Sequence, residues 1–247
     1  MEKISFTYAY DHANYFSREL KGLENRDLFA CLDEKSQGFF DHISKPHQHS
    51  LLHELLECHI HYVYEDMIGH YLYDEYIEEI KIALKENDIT HPRWLNEDEI
   101  DNYSDELDEL LQTVITSEVK ASFHLLFANR NFLFDFQSAI SEKYIKCLKK
   151  SDHPTILKRD GVLTRPRYIP QWLKKAVFYR DRGRCQICWK DISGLVAPNF
   201  NCELDHIIPL AASGTNDPTN FQLICKECNI EKGDKVIVKP SKTILFW

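Results

Sequence analysis

Two Cys-x-x-Cys pairs, Cys185/Cys188 and Cys225/Cys228, constrain this chain more than any other feature. Two intervening residues let one tight turn present both sulfurs to a single ion. Two such turns supply four soft ligands, the set that suits a tetrahedral structural zinc. The alternatives are two disulfides or four buried thiols. Nothing in the sequence points to an oxidising compartment, so structural Zn2+ is the expectation. A site of this kind is closed. It staples the fold and does no chemistry.

The chemistry must then come from the residues between and just after the pairs. Glu203–Ile208 reads as a short strand stopped by Pro209, and Phe221–Ile224 as a second strand. Cys228–Lys232 opens a short helix broken near Gly233. Strand, loop, strand and helix, clamped at two points, bring Asp205, His206 and Asn229 together. A carboxylate and an amide oxygen are hard ligands suited to Mg2+. An imidazole titrates near neutrality, as a general base for water requires.

Paired knuckles, Asp-His-Ile-Ile-Pro-Leu at 205–210, Asn220, and Cys-x-x-Cys-Asn-x-x-Lys at 225–232 occur in one order. The stretch from about Arg180 to Lys235, with a lead-in from Arg165, resembles the HNH endonuclease family and its ββα-metal core. The resemblance implies His206 as the base that activates water. It implies Asp205 and Asn229 as holders of a catalytic Mg2+ (or Mn2+), and Asn220 as the residue that fixes the loop orienting His206. The family's third signature position is often His, and here it is Asn229. Lys232, Arg184, Arg182, Arg165 and Arg167 are the candidate phosphate contacts. The implied substrate is nucleic acid, DNA before RNA, and bacterial or phage defence follows only by association with the family. The competing readings are a zinc-stapled nucleic-acid-binding module without catalysis and an RNA-cleaving toxin.

Net charge at first argues against such a substrate, because it is −9. Its distribution reverses the argument. Residues 1–157 carry 15 basic and 30 acidic side chains, whereas residues 158–247 carry 15 and 9. A basic segment on the motif-bearing half is the electrostatic footprint of phosphate binding.

The 247 residues, 43% hydrophobic, suffice for one large domain or two. Leu, Ile and Phe recur at helical spacing over residues 25–43, 48–85 (with Gly69 as a kink or divide), 117–128 and 131–150. The fold class is therefore α+β. An all-helical domain over residues 1–150 has no legible role beyond a possible regulatory protein partner. A basic linker spans 151–169, and a small zinc-stapled domain spans 170–247, with Pro170 in the first turn of its leading helix. The histidines around 47–70 are expected to be ordinary surface and core imidazoles. Cys31, Cys58, Cys147 and Cys202 are expected to be reduced core thiols. No run of about eighteen apolar residues predicts a membrane span. The first residues lack the apolar core of a signal peptide, so a cytoplasmic location is expected. The tail, Val236–Trp247, reads as extended.

Overall fold

The computed structural model describes residues 7–21, 29, 32, 36–69, 74–96, 104–194 and 202–237. In chain order its elements are α1 (Ala9–Glu19), α2 (Gln37–Ser44), α3 (Leu51–Gly69), α4 (Asp74–Glu86), α5 (Ser104–Ala128), α6 (Arg130–Lys143), β1 (Leu157–Arg159), β2 (Val162–Leu163), α7 (Gln171–Arg180), β3 (Cys202–His206), β4 (Phe221–Cys225) and α8 (Lys226–Lys232). The α+β class expected from the sequence is the one observed. Most of the expected tail, residues 238–247, lies outside the described residues, as do 25–28, 30–31 and 33–35 of the expected helix over 25–43. Among the described residues no helix is long and apolar enough to cross a membrane.

Packing divides the chain into two compact units, residues 1–31 with 52–125 and residues 32–51 with 126–247. The first is helical. On α3, Leu52, Leu55, Leu56, Ile60 and Tyr64 recur at spacings of three and four and are all buried. The helical stretch over 48–85 is two helices, α3 ending at Gly69 and α4 beginning at Asp74. Its buried carboxylate, Glu118, is paired, as burial demands. Glu118 on α5 accepts from Tyr64 Oη at 2.8 Å and pairs with His12 Nε2 at 3.2 Å. Two histidines of α3 serve packing, with His53 stacked on Phe123 at 3.7 Å and His59 on Tyr15 at 4.3 Å, whereas exposed His61 lies 3.3 Å from Glu65. Two cysteines depart from the sequence expectation. Cys58 is disulfide-bonded. Cys147 is exposed, because it ends a single turn whose buried member is Ile145. Cys31 and the side chain of Cys202 lie outside the described residues.

The second unit holds the motif. The Ser36 side chain caps α2 by accepting from Phe39 N at 3.1 Å, worth about 1 kcal/mol. Phe39 and Ile43, one turn apart, are buried. Asn129 caps α6 in the same way, accepting from Phe132 N at 3.2 Å. The expected linker contains structure: β1 and β2 pair antiparallel around Gly161, whose φ of 64° is the left-handed conformation that glycine adopts without a Cβ penalty. Pro170 stands just ahead of α7, which buries Leu173 and Val177. β3 and β4 pair antiparallel with Cys202 opposite Cys225 and His206 opposite Phe221, and α8 follows β4 directly. That register brings the Asp-His end of β3 and the start of β4 together while both Cys-x-x-Cys turns sit at the other end.

His59 offers a test of the first unit. Burial, and then the nearby His12, hold its imidazole at about 4, below the ordinary 6.5. The unfolded chain takes up a proton near 6.5 and the folded chain does not. Stability is therefore full above that pH and is lost as pH falls toward 4. His59→Phe keeps a ring against Tyr15 and Phe16 and removes the titration. Its melting temperature should fall less between pH 6.5 and 4 than that of the wild type in a calorimetric pH series. Parallel curves would remove His59 as a source of acid sensitivity.

Candidate functional site

Cys185, Cys188, Cys225 and Cys228 converge, their sulfurs all within 4.8 Å of one another. Cys188 Sγ and Cys225 Sγ are 3.8 Å apart. Zinc–sulfur bonds of about 2.3 Å in a tetrahedron put sulfurs about 3.8 Å apart, so this cluster is compatible with structural zinc. The thiols are unequal. Burial opposes ionisation of Cys185, but N–H groups of Cys188, Cys225 and Ile187 bring it down to about 7. Burial raises Cys225 to about 11, and raises Cys228 as well. A divalent cation is what would ionise the whole set.

Asp205 and His206 sit at the far end of β3, on a cleft of about 340 Å³ also lined by Lys158, Arg159, Arg165 and Asp234. One cation and one neutral amide donate to Asp205. Its Oδ2 accepts from Lys232 Nζ at 2.8 Å and from Gln222 Nε2 at 2.9 Å. Lys232 also donates to His206 O at 2.9 Å, and Arg130 Nη2 donates to Gln222 Oε1 at 2.7 Å. Asn229, one turn before Lys232 on α8, donates its amide nitrogen to Glu203, two residues before Asp205 on the same strand face. Helix spacing of three thus matches strand spacing of two: Asn229 faces Glu203 while Lys232 faces Asp205. The Asn229 nitrogen being engaged leaves Oδ1 as its oxygen donor.

His206 is buried, its ring 4.5 Å from that of Phe221 and its Nε2 3.1 Å from Asn216 Oδ1. Burial pushes the imidazole down to about 4, with Asn216 and Asp205 opposing. The loop from Ile207 to Asn220 is held shut by Asn220. Its Oδ1 accepts from Ile208 N at 2.8 Å, and its Nδ2 donates to Ile208 O at 3.0 Å and Thr215 O at 2.8 Å. No larger residue fits at Gly214, where a Cβ would lie 1.9 Å from Ile208 O.

A polar face of α6 supports this loop from behind. Arg130, Gln137 and Ser141, all buried, fall on one side of the helix. Gln137 donates to Thr219 Oγ1 and accepts from Thr215 Oγ1, both at 2.7 Å, and Ser141 donates to Ala212 O at 3.1 Å. These residues, with Glu203, Asn216 and Gln222, were not singled out in the sequence. Only Glu203 carried a local signal, its strand phase with Asp205. The α6 residues read as solvent-facing polar positions.

The expected phosphate contacts separate. Arg165, Arg167 and Arg182 are exposed, and only Arg165 lines the cleft. Arg184 donates to Trp189 O at 3.3 Å within the first knuckle. Lys232 is 1% exposed and ion-paired, so it stands beneath the site and does not reach a surface phosphate. Removing one partner of such a buried pair costs roughly 3–5 kcal/mol.

Residues 185–235 match a family model described as HNH endonuclease. No curated protein and no solved structure matches the chain.

Because four thiolates on one ion supply much of a small domain's folding energy, Cys225→Ser should lower bound zinc well below one per chain. It should also lower the melting temperature. Elemental analysis of the purified variant decides this: zinc content equal to wild type would show that these sulfurs do not form the site.

Proposed function

We propose that this chain, whose residues 185–235 match the HNH endonucleases, is a metal-dependent endonuclease that hydrolyses phosphodiester bonds in nucleic acid, DNA in preference to RNA. The observation that supports the reading is the placing of a carboxylate and an imidazole, Asp205 and His206, together on one basic-walled cleft with Lys158, Arg159 and Arg165. Those cations are suited to a phosphate backbone, and Arg167 and Arg182 extend the basic surface outside the cleft.

His206 is the base in this reading. Its low proton affinity at rest keeps it neutral at physiological pH, the form able to accept a proton from water. The donor set for an ion is Asp205 and Asn229, both oxygen ligands of the kind Mg2+ or Mn2+ takes. Both hydrogen bonds to Asp205 fall on Oδ2, which leaves Oδ1 for the ion. When bound, such an ion supplies electrostatic stabilisation of the charge that develops on the phosphate and the leaving oxygen. Lys232 and Gln222 fix the Asp205 carboxylate in place. Asn220 holds the loop that carries the base. As a functional division, residues 170–247 carry the chemistry, and the helical residues 1–150 are available to a regulatory partner. A role in bacterial or phage defence rests on the family's occurrence alone.

The test is cleavage of supercoiled plasmid by the full chain with Mg2+, with Mn2+ and with EDTA, alongside an RNA of similar length. Wild type should nick or cut the plasmid only with a divalent ion added. His206→Ala should lose roughly a hundredfold or more in rate while keeping its zinc. Wild-type rates in His206→Ala would overturn the mechanism. Binding without cleavage under all three conditions would favour the zinc-stapled binding module, and cleavage of the RNA alone would favour an RNA nuclease.

A further inference from the structure

Asn216 is fully buried and lies four residues before Asn220, the loop residue singled out in the sequence. Its amide contacts three groups. One terminal atom is 2.9 Å from Ser44 O and 3.0 Å from Thr164 O, and the other is 3.1 Å from His206 Nε2. Two carbonyl oxygens can only be met by a donor, so that atom is the NH2 and the atom facing His206 is the carbonyl oxygen. The reason the amide cannot turn over lies in α2. The last carbonyls of a helix have no partner within it and need donors from elsewhere. Asn216 supplies two of them, its backbone N–H to Ile43 O at 2.9 Å and its side-chain NH2 to Ser44 O. A flipped amide would set oxygen against two carbonyls and strip a helix end of its donor.

We propose that Asn216, held by the C-terminal end of α2 and by Thr164, is a positioning residue that fixes His206 as the Nε2–H tautomer and so makes Nδ1 the basic atom. An acceptor oxygen at 3.1 Å requires Nε2 to carry the hydrogen, and a neutral imidazole has only one. Phe221, with its ring centre 4.5 Å from that of His206, limits rotation of the imidazole about this bond. The role of Nδ1 in catalysis rests on His206 being the base. The tautomer itself does not.

The consequence reaches beyond residues 185–235. Ser44 and Ile43 belong to α2 and Thr164 follows β2, so the state of the base depends on two segments outside the family match. Asp217, the next residue, repeats the tie by accepting from Leu51 N at 2.9 Å.

The experiment is a long-range 1H–15N correlation spectrum of the histidine rings in the full-length, zinc-loaded, 15N-labelled protein near neutral pH. The His206 signals are assigned by their loss in His206→Gln. Wild type should show a single neutral Nε2–H tautomer. Asn216→Ala should populate both tautomers, with kcat on plasmid lowered roughly tenfold to a hundredfold. KM should be unchanged, because the buried Asn216 touches no substrate, and zinc content should be unchanged. An Nδ1–H tautomer in wild type would overturn the proposal, as would a folded Asn216→Ala with an unaltered tautomer and kcat. If the alanine variant does not fold, Asn216→Ser, polar but too short to reach Nε2, carries the same comparison. The tautomer is read whether or not the protein cleaves nucleic acid. A wild type that shows Nε2–H but cleaves nothing refutes the nuclease reading and leaves the assignment of Asn216 standing.

Discussion

The ion pair between Asp205 and Lys232 is the contact on which the site depends. A carboxylate this deep is tolerated only if its charge is matched and its oxygens are hydrogen-bonded. Lys232 Nζ at 2.8 Å supplies the charge, and Gln222 Nε2 at 2.9 Å supplies a second donor. Gln222 is itself pinned by Arg130, so the geometry of Asp205 is set by β4, α8 and α6 together. The same lysine ties the backbone carbonyl of His206 and thereby couples the two neighbouring side chains to one helix. A mobile surface lysine serves phosphate as a point charge. A buried one fixed by two acceptors serves the fold.

Around this pair the module is larger than its motif. Residues 32–51 and 126–247 pack as one unit, of which the matched segment is a little over a third in sequence extent. The polar side of α6 satisfies the stretch from Ala212 to Gln222, the end of α2 pairs with Asn216, and the first residue of α3 pairs with Asp217. Such pairing is what burial of polar groups requires. It means that a fragment beginning near residue 151 lacks donors and acceptors that the loop uses. The Asp181 carboxylate plays the corresponding part on the α7 side. It accepts from Leu223 N at 2.7 Å and pairs with Arg180, whose guanidinium lies over the Phe127 ring.

The four-cysteine cluster and the Asp205 carboxylate occupy opposite ends of one two-stranded sheet. The register with Cys202 opposite Cys225 and His206 opposite Phe221 separates them by the length of β3. A sheet of two five-residue strands is marginal by itself. The ligand cluster at one end and the hydrogen-bonded loop at the other hold it from both sides.

What the sequence alone determined is whatever depends on local spacing. Two-residue gaps between cysteines predict a four-sulfur cluster, because a short turn can present two thiols to one ion. Alternation and breakers predict β3, β4 and α8 within a residue or two, and apolar periodicity predicts the helices, because each depends on neighbours in the chain. Asp205 and His206 were legible for the same reason. Tertiary structure decided the partners. Lys232 reads as a surface cation until α8 is laid across β3. Asn216, Gln137 and Arg130 read as ordinary polar positions until a loop from 78 to 172 residues away brings their acceptors and donors within 3 Å. Hydrogen bonds between segments so far apart leave no periodic trace in either one, since each polar residue alone fits a solvated face. Only packing shows that these faces are buried, and so which atom of each side chain must donate.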